Sequence, residues 1–336
     1  MPVEHKNDYA SGRTRTREPE RIGFARMIRS LVATGLGLAL CVVPLLPPTS
    51  QPAHAAEPIS ILVGAPRSDQ LSRFTEQVTA GMKPMPTVSF VPGLGGAYAL
   101  RDAAADPAAV VLFSLPGFLL SRGDPSGPAH HAELEAVVLA ARVSVALWIP
   151  ENSTIKTLPD LITQARRGAG TVVCAGPGRF TAPHLASVLF NREAGVLTLF
   201  MPLIGTDEAR AAAMQGRVQA MWAYALVPGS LPGMRPLAVA AENRSPVLPD
   251  VPTFAELGLK VTISAELGFA LSPKSKTKAT TAAALKAALA DSYTQDALAR
   301  QGFLPIPATD EPLRPYLDEQ AERLKTFKRD YPSLLE

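Results

Sequence analysis

"RPLAVAAENRSPVLPDVPTFAELG", residues 235–258, decides how the rest of the chain is parsed. An apolar run from Leu237 to Ala241 reads as a strand, and prolines at 246, 249 and 252 then fix an extended path with few backbone donors. Thr253 and Glu256 stand at capping-box spacing and predict the start of a short helix. The segment therefore reads as a strap that carries the chain out of one α/β unit before it returns to another, with no part in holding a ligand.

Upstream of the strap, short β-branched or apolar runs alternate with helical patterns, the mark of an α/β protein with mostly parallel sheets. Strands are predicted over Ser60 to Gly64, Thr87 to Val91, Ala109 to Phe113, Val143 to Ile149, Thr171 to Ala175, Thr198 to Met201 and Val218 to Ala223. Between them, helices have readable ends: Thr157 before Leu158 to Arg167, Thr181 with Pro183 up to Gly195, and Thr206 up to Gly216. Downstream, "LGFALSP" reads as one more strand, and Ala279 to Ala290 and Glu311 to Phe327 as terminal helices. The "KSKTK" turn at 274–278 reads as a solvated cationic loop.

The N-terminal 55 residues read as an export signal. Arg21, Arg26 and Arg29 precede a 16-residue apolar run, Leu31 to Leu46, and the small-residue site Ala53-His54-Ala55 follows. Cleavage is expected before Ala56, with the mature chain in the periplasm. Removing this segment takes away seven of the 33 basic and four of the 30 acidic residues, leaving 26 of each. A net charge of zero gives no nucleic-acid or membrane footprint. Only Cys174 remains as a cysteine, in an apolar strand, so no internal disulfide can form. The remaining 281 residues suffice for two cores, expected at 56–149 plus 265–336 and at 150–264.

Three glycine-rich turns follow predicted strands: "PGLGG" at 92–96, "AGPG" at 175–178 and "IGT" at 204–206. At the carboxyl ends of strands such turns expose helix N-termini, which suit a small polar or anionic ligand. None completes a phosphate loop or a dinucleotide fingerprint, so no cofactor is expected. Neither a nucleophile elbow nor a zinc-protease helix is present. "HHAELE" at 130–135 offers a metal reading beside a solvated-loop reading, and the solvated loop is preferred, so no metal is expected. His184 could reach a ligand or cap its own turn, and Trp222 and Tyr224 could line a cleft or fill a core.

Several stretches carry a family likeness: residues 235–258, "HLASVLFNREAGV" at 184–196, and "MPLIGTDEARAAAMQGRVQAMW" at 201–222. From about Ile59 to Tyr331 the chain resembles the Bug-type, or TctC-type, extracytoplasmic solute-binding proteins of tripartite tricarboxylate transporters. The resemblance implies a type II-like periplasmic binding protein fold, two mixed-sheet α/β domains closing over a small carboxylate, without catalysis. It implies a monomer that hands its ligand to the transporter's membrane subunits. Ligand-binding candidates carried over from the matching motifs are Gly95, Gly96, Thr181, Gly205 and Thr206, with Ser114 after the third strand.

The departures direct attention elsewhere. Where the family reads "PFPPGGxxD", this chain has "GAPRSDQL" at 64–71, so Arg67, next to Ser68, reads either as a charged replacement for the N–H donors of the paired glycines or equally as a surface residue on a shortened loop. Leu203 and Ile204 replace the family's Tyr-Lys and make the pocket less polar, while Asp207 and Glu208 compete with an anionic ligand for the helix dipole. Arg179, in a lengthened turn, and Tyr224 complete the candidate set. Two other function classes stand beside transport: a ligand sensor for a membrane signalling protein, and a metal-dependent periplasmic hydrolase resting on "HHAELE" alone.

Overall fold

The computed structural model describes residues 59–122, 133–309 and 311–332. These fall within one compact unit, and the expected export signal lies outside the described residues. Three parallel strands open the fold, β1 (Ser60–Val63), β2 (Thr87–Phe90) and β3 (Ala109–Ser114). They are connected by helices α1 (Gln70–Thr79) and α2 (Ala97–Ala105), and α3 (Leu115–Arg122) follows β3. The long strand β4 (Glu135–Pro150) then leads through α4 (Leu158–Ala165) to a second parallel group: β5 (Val173–Gly176), β6 (Leu199–Pro202) and β7 (Ala220–Tyr224). Within that group lie α5 (Ala182–Ala194) and α6 (Thr206–Met214). Strands β8 (Met234–Val239) and β9 (Ser264–Leu271), helices α7 (Lys278–Ala290) and α8 (Ser292–Gln301), strand β10 (Leu304–Pro305) and helix α9 (Arg314–Asp330) complete the chain.

The strands form one continuous sheet in the order β2-β1-β3-β9-β4-β7-β5-β6, with β8 and β10 also paired to β4. Parallel pairing holds within each group of three, but β9 and β4 run antiparallel between the groups, so the sheet is mixed rather than mostly parallel. Strand β4 joins the halves: Glu135 to Ser144 pairs with β9, and Val145 to Pro150 pairs with β7 and β8. It is more than twice as long as the segment predicted from Val143 to Ile149. Both its faces are buried, one carrying Val143, Val145, Leu147 and Ile149 and the other Ala146 and Trp148, which explains its unbroken apolar sequence. Arg142 interrupts that run and is accommodated by Glu266 of β9, 2.5 Å away; Glu266 also accepts from the Tyr316 hydroxyl and so ties α9 to the sheet.

Helix ends follow local chemistry. Thr157 and Asp160 form a reciprocal capping box on α4, Thr181 caps α5, and Gly195 ends α5 in a left-handed conformation. Helices α7 and α8 pack on α1, with Phe74 and Phe303 rings 5.0 Å apart, and α9 packs on α3. The "KSKTK" segment is exposed at Lys274 and Lys276, and its cations form surface pairs, Lys274 with Glu133 and Lys278 with Glu135.

The strap differs from its expected extended path. Turns at Ser245–Leu248 and Leu248–Val251 fold it upon itself, because prolines fix φ without preventing turns. Thr253 and Glu256 do exchange the two capping bonds, 2.7 and 3.1 Å, yet they open only a turn and no helix forms there. Phe254 inserts completely into the core and stacks on Trp222, 5.6 Å between centroids. No helix of the described residues is long and apolar enough to cross a membrane.

Candidate functional site

The carboxyl ends of β1, β2 and β3 in one half, and of β5, β6 and β7 in the other, open onto one cavity of about 450 Å³. In open α/β sheets this is where loops and helix N-termini converge on ligands. Here the loops interlock through glycines. A Cβ on Gly178 (φ +102°) would lie 2.7 Å from the Gly95 nitrogen, and one on Gly205 (φ +86°) 2.9 Å from Pro66 Cδ. Both contacts join loops of opposite halves, and neither would accept a side chain.

Asp69 occupies the centre of the second contact. One carboxylate oxygen accepts the Leu71 N–H at 3.0 Å and caps α1, while the other accepts the Thr206 N–H at 2.7 Å, at the start of α6 in the other half. Burial pushes its pKa above the ordinary carboxylate range against those two hydrogen bonds, and Asp207 adds a smaller upward push. Glu208 accepts the Ile204 N–H at 2.7 Å, so two amides at the head of α6 are already taken. Thr181 donates to the Gly178 carbonyl at 2.9 Å and accepts the His184 N–H at 3.4 Å. His184 accepts the Phe180 N–H through Nδ1 at 3.1 Å, and burial, followed by the charge of Arg179, pushes its pKa down to about 4. Its role is thus to order the β5–α5 turn, whose Phe180 sits at φ +61°.

Of the expected residues, Gly95, Gly96, Ser114, Arg179, Thr181, Gly205, Thr206 and Tyr224 all line this cavity. Arg67 and Ser68 do not. The Arg67 side chain is 81% exposed, 3.9 Å from Glu76 and over the Phe90 ring, because the turn that makes Asp69 an N-cap directs residues 67 and 68 outward. Ser68 presents only its carbonyl, to Arg73. Trp222 and Tyr224 share one face of β7 at different depths: Trp222 is core, and Tyr224, at the strand's end, faces the Ser114 hydroxyl at the cavity wall. Burial raises the Tyr224 pKa, and the Ser114 oxygen finds no hydrogen-bond partner of ordinary geometry.

Sequence reasoning missed Asp69 and Lys328. The first had a signal, an N-cap residue before the apolar periodicity Leu71, Phe74, Val78; Lys328 had none, since only the packing of α9 brings it to the cavity. Cys174 is fully buried and its thiol is pushed up to about 12 by burial. His130 and His131 lie outside the described residues, and Glu133 is paired with Lys274. Among the described residues no three His, Cys, Asp or Glu side chains gather as metal ligands.

The comparisons with known proteins agree with this architecture. The chain is 28% identical over 191 residues to the "UPF0065 protein in gbd 5'region" of Cupriavidus necator, covering 54% of this chain and 57% of that one. The match thus spans little more than half of that relative's length. It is 26% identical to "Protein BugT" of Bordetella pertussis over 308 residues, 86% of this chain and 93% of the other. Among solved structures, the fold matches "periplasmic binding protein BugD" with a TM-score of 0.73 at 20% identity, covering 81% of this chain and 97% of that one. It matches "R. palustris Rpa4515 with adipate" with a TM-score of 0.71 at 19% identity, covering 81% and 96%. The family model described as "Tripartite tricarboxylate transporter family receptor" matches residues 125–329, more than half of the sequence, and the chain therefore belongs to the TctC family of tripartite tricarboxylate transporter receptors.

Proposed function

We propose that the protein is a periplasmic receptor that captures a small organic acid in the cavity between the two halves of its sheet and presents the closed form to the membrane subunits of a tripartite transporter. The observation that carries this reading is the convergence of six strand ends and their loops on one cavity, with glycine contacts between halves that only a closed arrangement allows. Residues 56–149 with 265–336 would act as one lobe and 150–264 as the other. A ligand that touches both lobes favours the closed state by its differential affinity, a population shift. The adipate bound to one structural relative supports a carboxylate ligand. No step of this role requires catalysis, and the reading assigns none.

On this reading the N-terminal segment exports the chain and the mature protein works in the periplasm. A panel of organic acids tested for thermal stabilisation of the purified protein checks the central claim. A ligand at one hundred times its Kd adds about 2.7 kcal/mol and raises Tm visibly. If no acid shifts Tm while the protein stays folded, the reading is wrong.

A further inference from the structure

The polar groups around the cavity are distributed unevenly. The N–H of Ile204 is held by Glu208 and that of Thr206 by Asp69, both at 2.7 Å, so the start of α6 is occupied by the protein's own carboxylates. The start of α5 is closed by Thr181 and by His184. Of the loop after β1, Gly64 and Ala65 line the cavity with their backbone, Pro66 has no N–H to offer, and Asp69 brings a carboxylate. Two cations remain on the lining, Arg179 of the β5–α5 turn and half-buried Lys328 of α9, and neither meets an acidic side chain among the described residues. The Ser114 hydroxyl, on the same lining and facing Tyr224, is buried and without a hydrogen bond of ordinary geometry.

Much of the remaining wall is apolar. Leu100, Leu112, Phe180 and Leu203 face the same space. Two of the chain's most exposed large aliphatic side chains belong to this lining: Leu94, 52% exposed on the β2–α2 loop, and Ile204, 55% exposed on the β6–α6 loop. They lie in opposite halves of the sheet, and Leu94 is held at φ +45°, a conformation that costs a branched residue free energy. Apolar side chains left in water on two loops that line one cavity make sense if a ligand covers them. A carboxylate pressed against the same wall would lose water and gain no partner.

We propose that the ligand is a monocarboxylic acid with an apolar body, its single charged head matched by Arg179 and Lys328 and its body enclosed between Leu94 and Ile204. The inference rests on the reading of the chain as an organic-acid receptor and narrows it, because the lining brings cationic side chains for one head only. A cavity of about 450 Å³ suits a short body, such as an eight-carbon chain or a single phenyl ring.

Calorimetric titration of the purified protein with octanoate, 3-phenylpropanoate, adipate, malate and the neutral octanamide tests it. At least one of the two monoacids should bind tenfold or more tightly than adipate and malate, and octanamide should bind at least tenfold more weakly than octanoate. The double substitution Arg179→Ala with Lys328→Ala should weaken the preferred monoacid at least tenfold. Because neither side chain makes a hydrogen bond or ion pair among the described residues, its circular dichroism should be unchanged. Ile204→Lys should narrow the preference over adipate. Adipate or malate binding as tightly as the monoacids would overturn the inference while leaving an organic-acid receptor intact. Octanamide equal to octanoate, or an unchanged Kd in the double variant, would overturn the assignment of the head. Binding of none of the acids by folded protein would remove the receptor reading together with the inference.

Discussion

The strap at 243–258 and the loops around the cavity are both irregular, and both rely on polar side chains to order their backbone, yet they dispose of those groups in opposite ways. In the strap nearly every polar group is answered within a few residues. Arg244 donates to both oxygens of Glu256 at 3.0 Å and to the Pro249 carbonyl, Thr253 and Glu256 cap each other, and Phe254 anchors the whole in the core. The starts of α5 and α6 are satisfied too, but around the cavity Arg179 and Lys328 have no acidic partner among the described residues, the Ser114 hydroxyl is buried without a hydrogen bond of ordinary geometry, and Leu94 and Phe180 are held at positive φ. A segment that satisfies itself is there for stability. A region that keeps strained residues and unanswered groups has been shaped for something else to complete it.

The largest test of that contrast is Phe254→Ala. The ring is fully buried, stacks on Trp222 and lies 5.9 Å from Phe190, so its loss opens a cavity in a packed core. Such truncations cost about 3–5 kcal/mol. Urea unfolding should show a loss of this size, with ligand affinity of the folded protein within about threefold of wild type. A loss below about 1 kcal/mol would show that the strap does not hold the fold together.

A second, smaller effect comes from the cavity side through pH. His184 is neutral when folded because burial and Arg179 push its pKa down to about 4, whereas the unfolded chain takes up a proton near 6.5. The unfolded state therefore binds more protons between these values, and the stability contributed by burying the neutral ring is complete above pH 6.5 and falls as pH drops toward 4. By pH 4.5 the loss amounts to roughly 2.5 kcal/mol, since one proton of difference costs about 1.36 kcal/mol for each pH unit crossed. His184→Asn keeps an acceptor for the Phe180 N–H and removes the titration, so between pH 7 and 4.5 the variant should lose less stability than wild type. Identical pH dependence in the two proteins would show that the imidazole is not held neutral.

The same contrast explains what could be read before the fold was known. Helix ends were legible because caps are local: Thr157, Thr181 and Gly195 act on neighbours within four residues. The family likeness of residues 235–258 was legible for the same reason, since the strap's bonds stay within its own sequence. Six cavity residues, Gly95, Gly96, Ser114, Thr181, Gly205 and Thr206, come from the family likeness, Arg179 from a lengthened turn and Tyr224 from the end of a strand. Direction, however, is not local. Arg67 looked like a ligand for an anion, yet the turn that makes Asp69 a cap sends it into solvent. The bond from Asp69 to Thr206 crosses 137 residues, Lys328 arrives on the last helix, and the start of β4 was hidden because the partner of Arg142 lies 124 residues away. Residue type announces chemistry, and only tertiary packing decides which way it points.

The finest test separates backbone strain from the closure of the cavity. Gly178 and Gly195 both adopt positive φ, +102° and +60°, but they differ in what a side chain would meet. A Cβ at Gly195 meets nothing within 4 Å, whereas one at Gly178 would sit 2.7 Å from the Gly95 nitrogen across the two halves of the sheet. Each alanine substitution should therefore cost about 1 kcal/mol of stability through the left-handed backbone alone. Only Gly178→Ala should also force the β2–α2 and β5–α5 loops apart, and its ligand affinity should fall about tenfold, or roughly 1.4 kcal/mol. Titration of both variants with the best acid of the panel checks this. Were Gly178→Ala to bind as wild type does, the contact between the two glycine loops would be a resting place of the backbone and not part of the closure that holds a ligand. An equal loss in Gly195→Ala would mean that strain anywhere on α5 reaches the cavity, and the contrast between self-contained and ligand-completed regions would fail at this helix.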